Sequence, residues 1–116
     1  MKMPVILVAE DELPIRSMIC DFLADSGFKV LEADSADAAL AIIDSRAVDL
    51  LFTDVNMPGK MKGDSLARWL AVHCPHLPVI ITSGLLKPRA CGAGRRFIPK
   101  PYALADVEHQ IRELLH

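Results

Sequence analysis

The chain has 116 residues, 52% of them hydrophobic and 24% charged, which excludes the disordered and collagenous classes. A globule of this length buries roughly two-thirds of its unfolded surface and needs no staple, so residues 1–116 are expected to form a single domain. Thirteen Lys plus Arg against fifteen Asp plus Glu leave a net charge of −2, so no global basic field is available to grip nucleic acid.

Cys20, Cys74 and Cys91 are odd in number and widely spaced, without a C-x-x-C pair, which points to reduced thiols rather than to a disulfide framework or a zinc site. Every apolar run falls far short of the ~20 residues that span a bilayer, and the N-terminus lacks a signal-peptide core. A cytoplasmic protein without membrane insertion is the expectation.

Strand-like and helix-like patterns alternate along the chain, which predicts a parallel sheet covered on both faces. Val5 to Ala9 reads as the first strand. Pro14 suits a first helical turn, and Ile15, Met18, Ile19, Phe22 and Leu23 follow at helical spacing to Gly27, predicting a helix from about Leu13 to Ser26. Phe28 to Ala33 is the second strand, and Asp34 or Ser35 caps a helix whose inner stripe is Ala36, Ala39, Leu40 and Ile43.

Val48 to Thr53 reads as a third strand, followed by a loop at Asp54 and a helix from about Asp64 to Val72 carrying Leu66, Trp69 and Leu70. Val79 to Ser83 is a fourth buried strand and Phe97 to Pro99 a short fifth. Leu104, Val107, Ile111, Leu114 and Leu115 mark the last helix. Parallel strands joined by right-handed crossovers place the loops after the strands on one edge, so Asp11, Asp54, Ser83 and Lys100 are predicted to converge there.

These residue types suit metal-assisted phosphoryl chemistry. A hard divalent cation such as Mg²⁺ takes one or two carboxylates plus other oxygens, which Asp11, Asp54 and a backbone carbonyl of the following loop, at Asn56, can supply. Asp54 can then attack phosphorus while the metal and Lys100 neutralise the equatorial oxygens and Ser83 donates a hydrogen bond. The plainer readings are a helix-capping Asp11, a Glu10 that complements the helix dipole, a strand-end hydroxyl at Ser83 and a core aromatic at Phe97. Glu12 reads as a solvated acid, Trp69 as packing, and His73, His76, His109 and His116 as surface residues.

Across essentially its whole length the chain resembles the receiver domains of two-component response regulators. Glu10-Asp11 is similar to the acidic pair after the first strand, and Asp54 with Met57-Pro58-Gly59 to the phosphoacceptor and its loop. Ser83 before Gly84 is similar to the Ser/Thr position that ends the fourth strand, Lys100-Pro101 to the lysine-proline pair after the fifth, and Phe97 to an aromatic that changes rotamer on phosphorylation.

The resemblance implies a flavodoxin-like (CheY-like), doubly wound, five-stranded parallel sheet. It implies Mg²⁺ held by Glu10, Asp11, Asp54 and the Asn56 carbonyl, phosphotransfer from a histidine kinase or histidine phosphotransfer protein to Asp54, and self-catalysed loss of the phosphoryl group. A cis Lys100-Pro101 bond is also implied. Ser83 and Phe97 would be the switch residues, and output would pass through contact with a downstream protein rather than through enzymatic turnover.

Two departures from the family pattern stand out. Glu10 occupies a position where Asp is more usual. Only Leu85 to Arg96 connect the fourth and fifth strands, and they include Pro88, Gly92 and Gly94, so the fourth helix is expected to be shortened or missing. The basic group Lys87, Arg89, Arg95 and Arg96 there reads as a solvated face or a docking surface for an acidic partner.

A stand-alone receiver is the expectation, and a receiver cut from a larger regulator or hybrid kinase reads similarly. A small phosphohydrolase with Asp54 as nucleophile is the rival from another class, but Asp54-Val55-Asn56 lacks the second acid of such enzymes.

Overall fold

The computed structural model describes residues 3–55, 57, 59, 63–84 and 95–115, the side chains of 63 and 64 excepted. Strands and helices alternate as β1 (Val5–Ala9), α1 (Leu13–Asp25), β2 (Lys29–Ala33), α2 (Ala36–Ser45), β3 (Leu50–Asp54), α3 (Gly63–His73), β4 (Val79–Ser83), β5 (Arg95–Pro99) and α4 (Leu104–Leu114). All strand pairs are parallel, in the order β2-β1-β3-β4-β5. This is the flavodoxin-like arrangement, with α1 and α4 on one face and α2 and α3 on the other.

Strand alternation builds the two cores. Ile6, Val8, Phe52, Ile80 and Ile98 point to one side and pack with Ile19 and Leu23 of α1 and Val107 and Ile111 of α4. Their neighbours Leu7, Ala9, Leu51, Val79 and Ile81 point to the other and meet Ala36 and Ala39 of α2 and Leu66 and Leu70 of α3. Every residue of β3 and β4 is buried, which is why both read as apolar runs without alternation.

Local chemistry sets the helix ends. Ser35 caps α2 by accepting a hydrogen bond from the Ala38 N–H at 3.1 Å, and the small Ala36 and Ala39 let that helix lie close to the sheet. Gly27, with φ 99°, ends α1 in the left-handed region where a side chain would be strained. Glu12, not Asp11, stands at the start of α1 and makes no capping bond.

Three strand boundaries differ from the pattern in the sequence. β2 begins at Lys29 because the Phe28 N–H is bound to Leu23 O at 3.1 Å, closing α1, while its ring is buried in the core. β3 begins at Leu50 and includes Asp54, since Asp49 is held across to Val5 by its N–H at 2.8 Å and its carboxylate at 2.7 Å. β5 begins two residues early, at Arg95, because hydrogen bonding to β4 pairs Arg95 with Val79 and Arg96 with Ile80 despite their charge. The question of a shortened or missing fourth helix, and Lys87 and Arg89 with it, lies outside the described residues.

Candidate functional site

The parallel sheet brings the ends of β1, β3, β4 and β5 to one edge. There one carboxylate oxygen from each of Glu10, Asp11 and Asp54 lies within 4.8 Å of the other two. Lys100, just after β5, donates from Nζ to Asp54 Oδ2 at 2.7 Å. Four side chains from three separate stretches of sequence are thus gathered, among them Asp11, Asp54 and Lys100 of the four expected to converge.

Their surroundings differ. Asp54 is 5% exposed and Glu10 only 2%, whereas Asp11 stands open to solvent. Glu10 is fixed on all sides: its N–H donates to Ala33 O at 3.0 Å, its carbonyl accepts from Arg16 at 2.8 Å, and its Oε2 accepts from the Glu12 N–H at 3.1 Å. Arg16 is itself paired with Glu32 at 3.0 Å.

Burial, reinforced by Asp11 and Asp54, pushes the Glu10 carboxyl up to about 7, although the Glu12 N–H and Lys100 pull the other way. For Lys100, burial alone would lower the ammonium, but the hydrogen bond and charge of Asp54, with Glu10 and Glu12, outweigh it and hold the pKa above its ordinary value. The site therefore keeps its lysine charged and one of its acids near neutrality.

Ser83 is buried at the end of β4, and its carbonyl accepts the Lys100 N–H at 3.0 Å, so the two strand ends are tied together. The Lys100-Pro101 peptide is cis. Phe97 is half-buried on β5 opposite Ile81 and packs on the α2/α3 face. Asn56 lies outside the described residues, while Met57 is buried against the α2/α3 core. At Gly59, φ is 103°, a conformation that strains any side chain; an added Cβ would stand 2.7 Å from Asp37 Oδ2, but that exposed carboxylate can swing aside, so it is the backbone conformation that calls for glycine.

Sequence reasoning passed over Tyr102 and Thr82. Tyr102 meets Phe52 edge-on with ring centroids 5.9 Å apart, and burial, with Glu10 and Asp54, raises its phenol to about 12. As the chain's one tyrosine, directly after Lys100-Pro101, it could have been found. Thr82 is a hydroxyl in an otherwise apolar stretch beside Ser83, and it is fully enclosed.

Clustered oxygen donors of this kind fit a hard divalent cation: without one, the buried carboxylates of Glu10 and Asp54 and the exposed one of Asp11 would repel one another. Among the described residues no helix is long and apolar enough to cross a membrane.

Residues 6–112 match the family model described as the response regulator receiver domain. Among curated proteins, the chain is 43% identical over 122 residues to the phosphate regulon transcriptional regulatory protein PhoB of Escherichia coli, with 95% of this chain and 51% of that protein covered. It is 38% identical over 110 residues to the response regulator protein FleR of Pseudomonas aeruginosa, covering 88% of this chain and 23% of the relative. The chain thus spans about a quarter to a half of the length of these relatives. Among solved structures, it is similar to the receiver domain of the hybrid histidine kinase CckA, with TM-score 0.81, 32% identity, and 97% and 99% of the two chains covered. A CheY-like receiver domain protein of Methanospirillum hungatei superposes with TM-score 0.90 at 25% identity, with 98% and 94% covered.

Proposed function

Because this chain belongs to the response regulator receiver domain family, we propose that it is a phosphorylation-dependent signalling switch whose phosphoacceptor is Asp54. The observation that carries the reading is the 2.7 Å bond from Lys100 to Asp54 beside the Glu10-Asp11-Asp54 cluster: a nucleophile, its counter-charge and a cation recess in one place.

Glu10, Asp11 and Asp54, with the Asn56 carbonyl, would hold Mg²⁺, which supplies neutralising charge to phosphoryl oxygens when bound. Lys100 orients the Asp54 carboxylate and, as a charged donor, is drawn to the phosphoryl oxygens once they arrive. Ser83, one residue beyond the pair that joins Asp54 to Thr82, offers a hydroxyl to the same group. Phe97, packed on the α2/α3 face, serves as the second switch residue that reports this change. The domain also releases the phosphoryl group to water by its own site.

The donor is a histidine kinase or histidine phosphotransfer protein, and the output is contact with a downstream protein. A single domain over residues 1–116, working in the cytoplasm, completes the reading.

Incubation with a small phosphodonor and Mg²⁺, followed by intact-mass measurement, tests it. One added phosphoryl group is expected, and none in Asp54→Asn; equal labelling of that variant would reject the assignment.

A further inference from the structure

Thr82 occupies an unusual place. Its residue is 1% exposed, and among the described residues its Oγ1 has no hydrogen-bond partner, although it is sealed from solvent. The rest of the residue is satisfied, its carbonyl accepting the Val55 N–H at 3.0 Å. Val79, Ile80 and Ile81 precede it on β4, and a valine at this position would fill the same space with no orphaned hydroxyl. Packing alone therefore gives no reason for a threonine.

Register supplies one. Thr82 pairs with Asp54 on one side and with Ile98 on the other. Its alternation partner Ile80, its neighbour Ile98 and Phe52, two residues before Asp54, all belong to the α1/α4 core, so the Thr82 side chain lies on the same side of the sheet. Register thus sets Thr82 on the strand beside the proposed phosphoacceptor and on the same face of the sheet as Phe52 and Ile98, with no bond from its hydroxyl to the Asp54 carboxylate in this structure.

Resting on the reading of Asp54 given above, we propose that Thr82 is a donor held in reserve for the aspartyl phosphate. When Lys100 moves to the phosphoryl oxygens, the Asp54 oxygen it leaves becomes the acyl oxygen of the phosphorylated side chain, and the Thr82 hydroxyl donates to it. In hydrolysis the water oxygen bonds to phosphorus as the bond from phosphorus to the Asp54 oxygen breaks. The electron pair of that bond returns to the carboxylate, and both protons of the water leave on inorganic phosphate. Negative charge grows on the carboxylate as this happens, and the Thr82 hydroxyl, turned toward that oxygen from the neighbouring strand, stabilises it without giving up its own proton.

The experiment follows loss of the phosphoryl group by intact mass in Mg²⁺ for the unaltered chain, Thr82→Val and Thr82→Ser, with thermal melting of each unphosphorylated protein. Thr82→Val is expected to lose the group on the order of five- to tenfold more slowly, the size of one ordinary net hydrogen bond. Thr82→Ser should decay like the unaltered chain, and Thr82→Val should melt no lower than it. If the valine variant does not fold, Thr82→Ala against Thr82→Ser isolates the hydroxyl equally well. Equal decay with and without the hydroxyl overturns the proposal while leaving Asp54 in place, as does a serine variant as slow as valine. Absence of labelling in the unaltered chain overturns the phosphoacceptor reading, and this inference with it.

Discussion

The two edges of the sheet use the same kinds of side chain for different ends. At the edge where the strands finish, Glu10, Asp54 and Lys100 are directed at one another, and two of the three are almost completely buried. At the edge where they begin, charges are bound to backbone: the Asp49 carboxylate accepts the Val5 N–H at 2.7 Å, and Arg95 donates to the Leu77 carbonyl. A charge that closes a hydrogen bond to the main chain stabilises one conformation. Charges crowded together await a ligand or a reaction that relieves them.

The contrast breaks most sharply if a residue at the finishing edge proves dispensable. Lys100→Met is expected to slow labelling of Asp54 by about 10²-fold, the size of losing one preorganised charged donor, measured as the rate of mass gain. Next in size is the response to metal: Mg²⁺ at about a hundred times its dissociation constant should stabilise the protein by about 2.7 kcal/mol in denaturant titrations. Asp11→Asn should lose most of that gain; a full gain in the variant would remove Asp11 from the cation site.

Protonation sharpens the comparison further. Burial raises Glu10 from 4.5 to about 7, so between those values the folded state keeps a proton that the unfolded chain has released. Its contribution to stability is whole below about 4.5, declines as pH climbs through about 7, and is flat above that. Urea unfolding at about pH 5 and about pH 8 should show this decline in the unaltered chain and a smaller one in Glu10→Gln. The smallest effect belongs to the starting edge: Asp49→Ala should cost about 1 kcal/mol and leave the labelling rate unchanged. A loss of labelling there would mean that the two edges are not independent.

How much of this could be read from sequence follows from the same physics. β1, β3 and β4 are buried on both faces, so their apolar runs announce them, and parallel topology then places Asp11, Asp54 and Lys100 together. The strand β5 lies at the sheet's margin, where Arg95 and Arg96 find partners in Leu77, Gln110 and Glu113, so charge concealed its first two residues. The burial of Glu10 was hidden because the bonds that enclose it come from Ala33, Arg16 and Glu12 and follow no periodicity. Thr82 was concealed by its likeness to any strand threonine; what distinguishes it is the lack of a hydroxyl partner among the described residues.

Arg112 has a wider consequence than its position near the end of α4 suggests. Its guanidinium lies 4.7 Å from the centre of the Phe28 ring and donates to Ser26 O at 2.7 Å, while Ser26 Oγ donates to Glu108 at 3.2 Å. Val107 and Ile111 on the same helix are completely enclosed in the core shared with α1. During synthesis α1 is made well before α4, so the part of its apolar flank that α4 covers gains that cover only once residues 104–114 have been translated. Assembly of this half of the domain waits on α4.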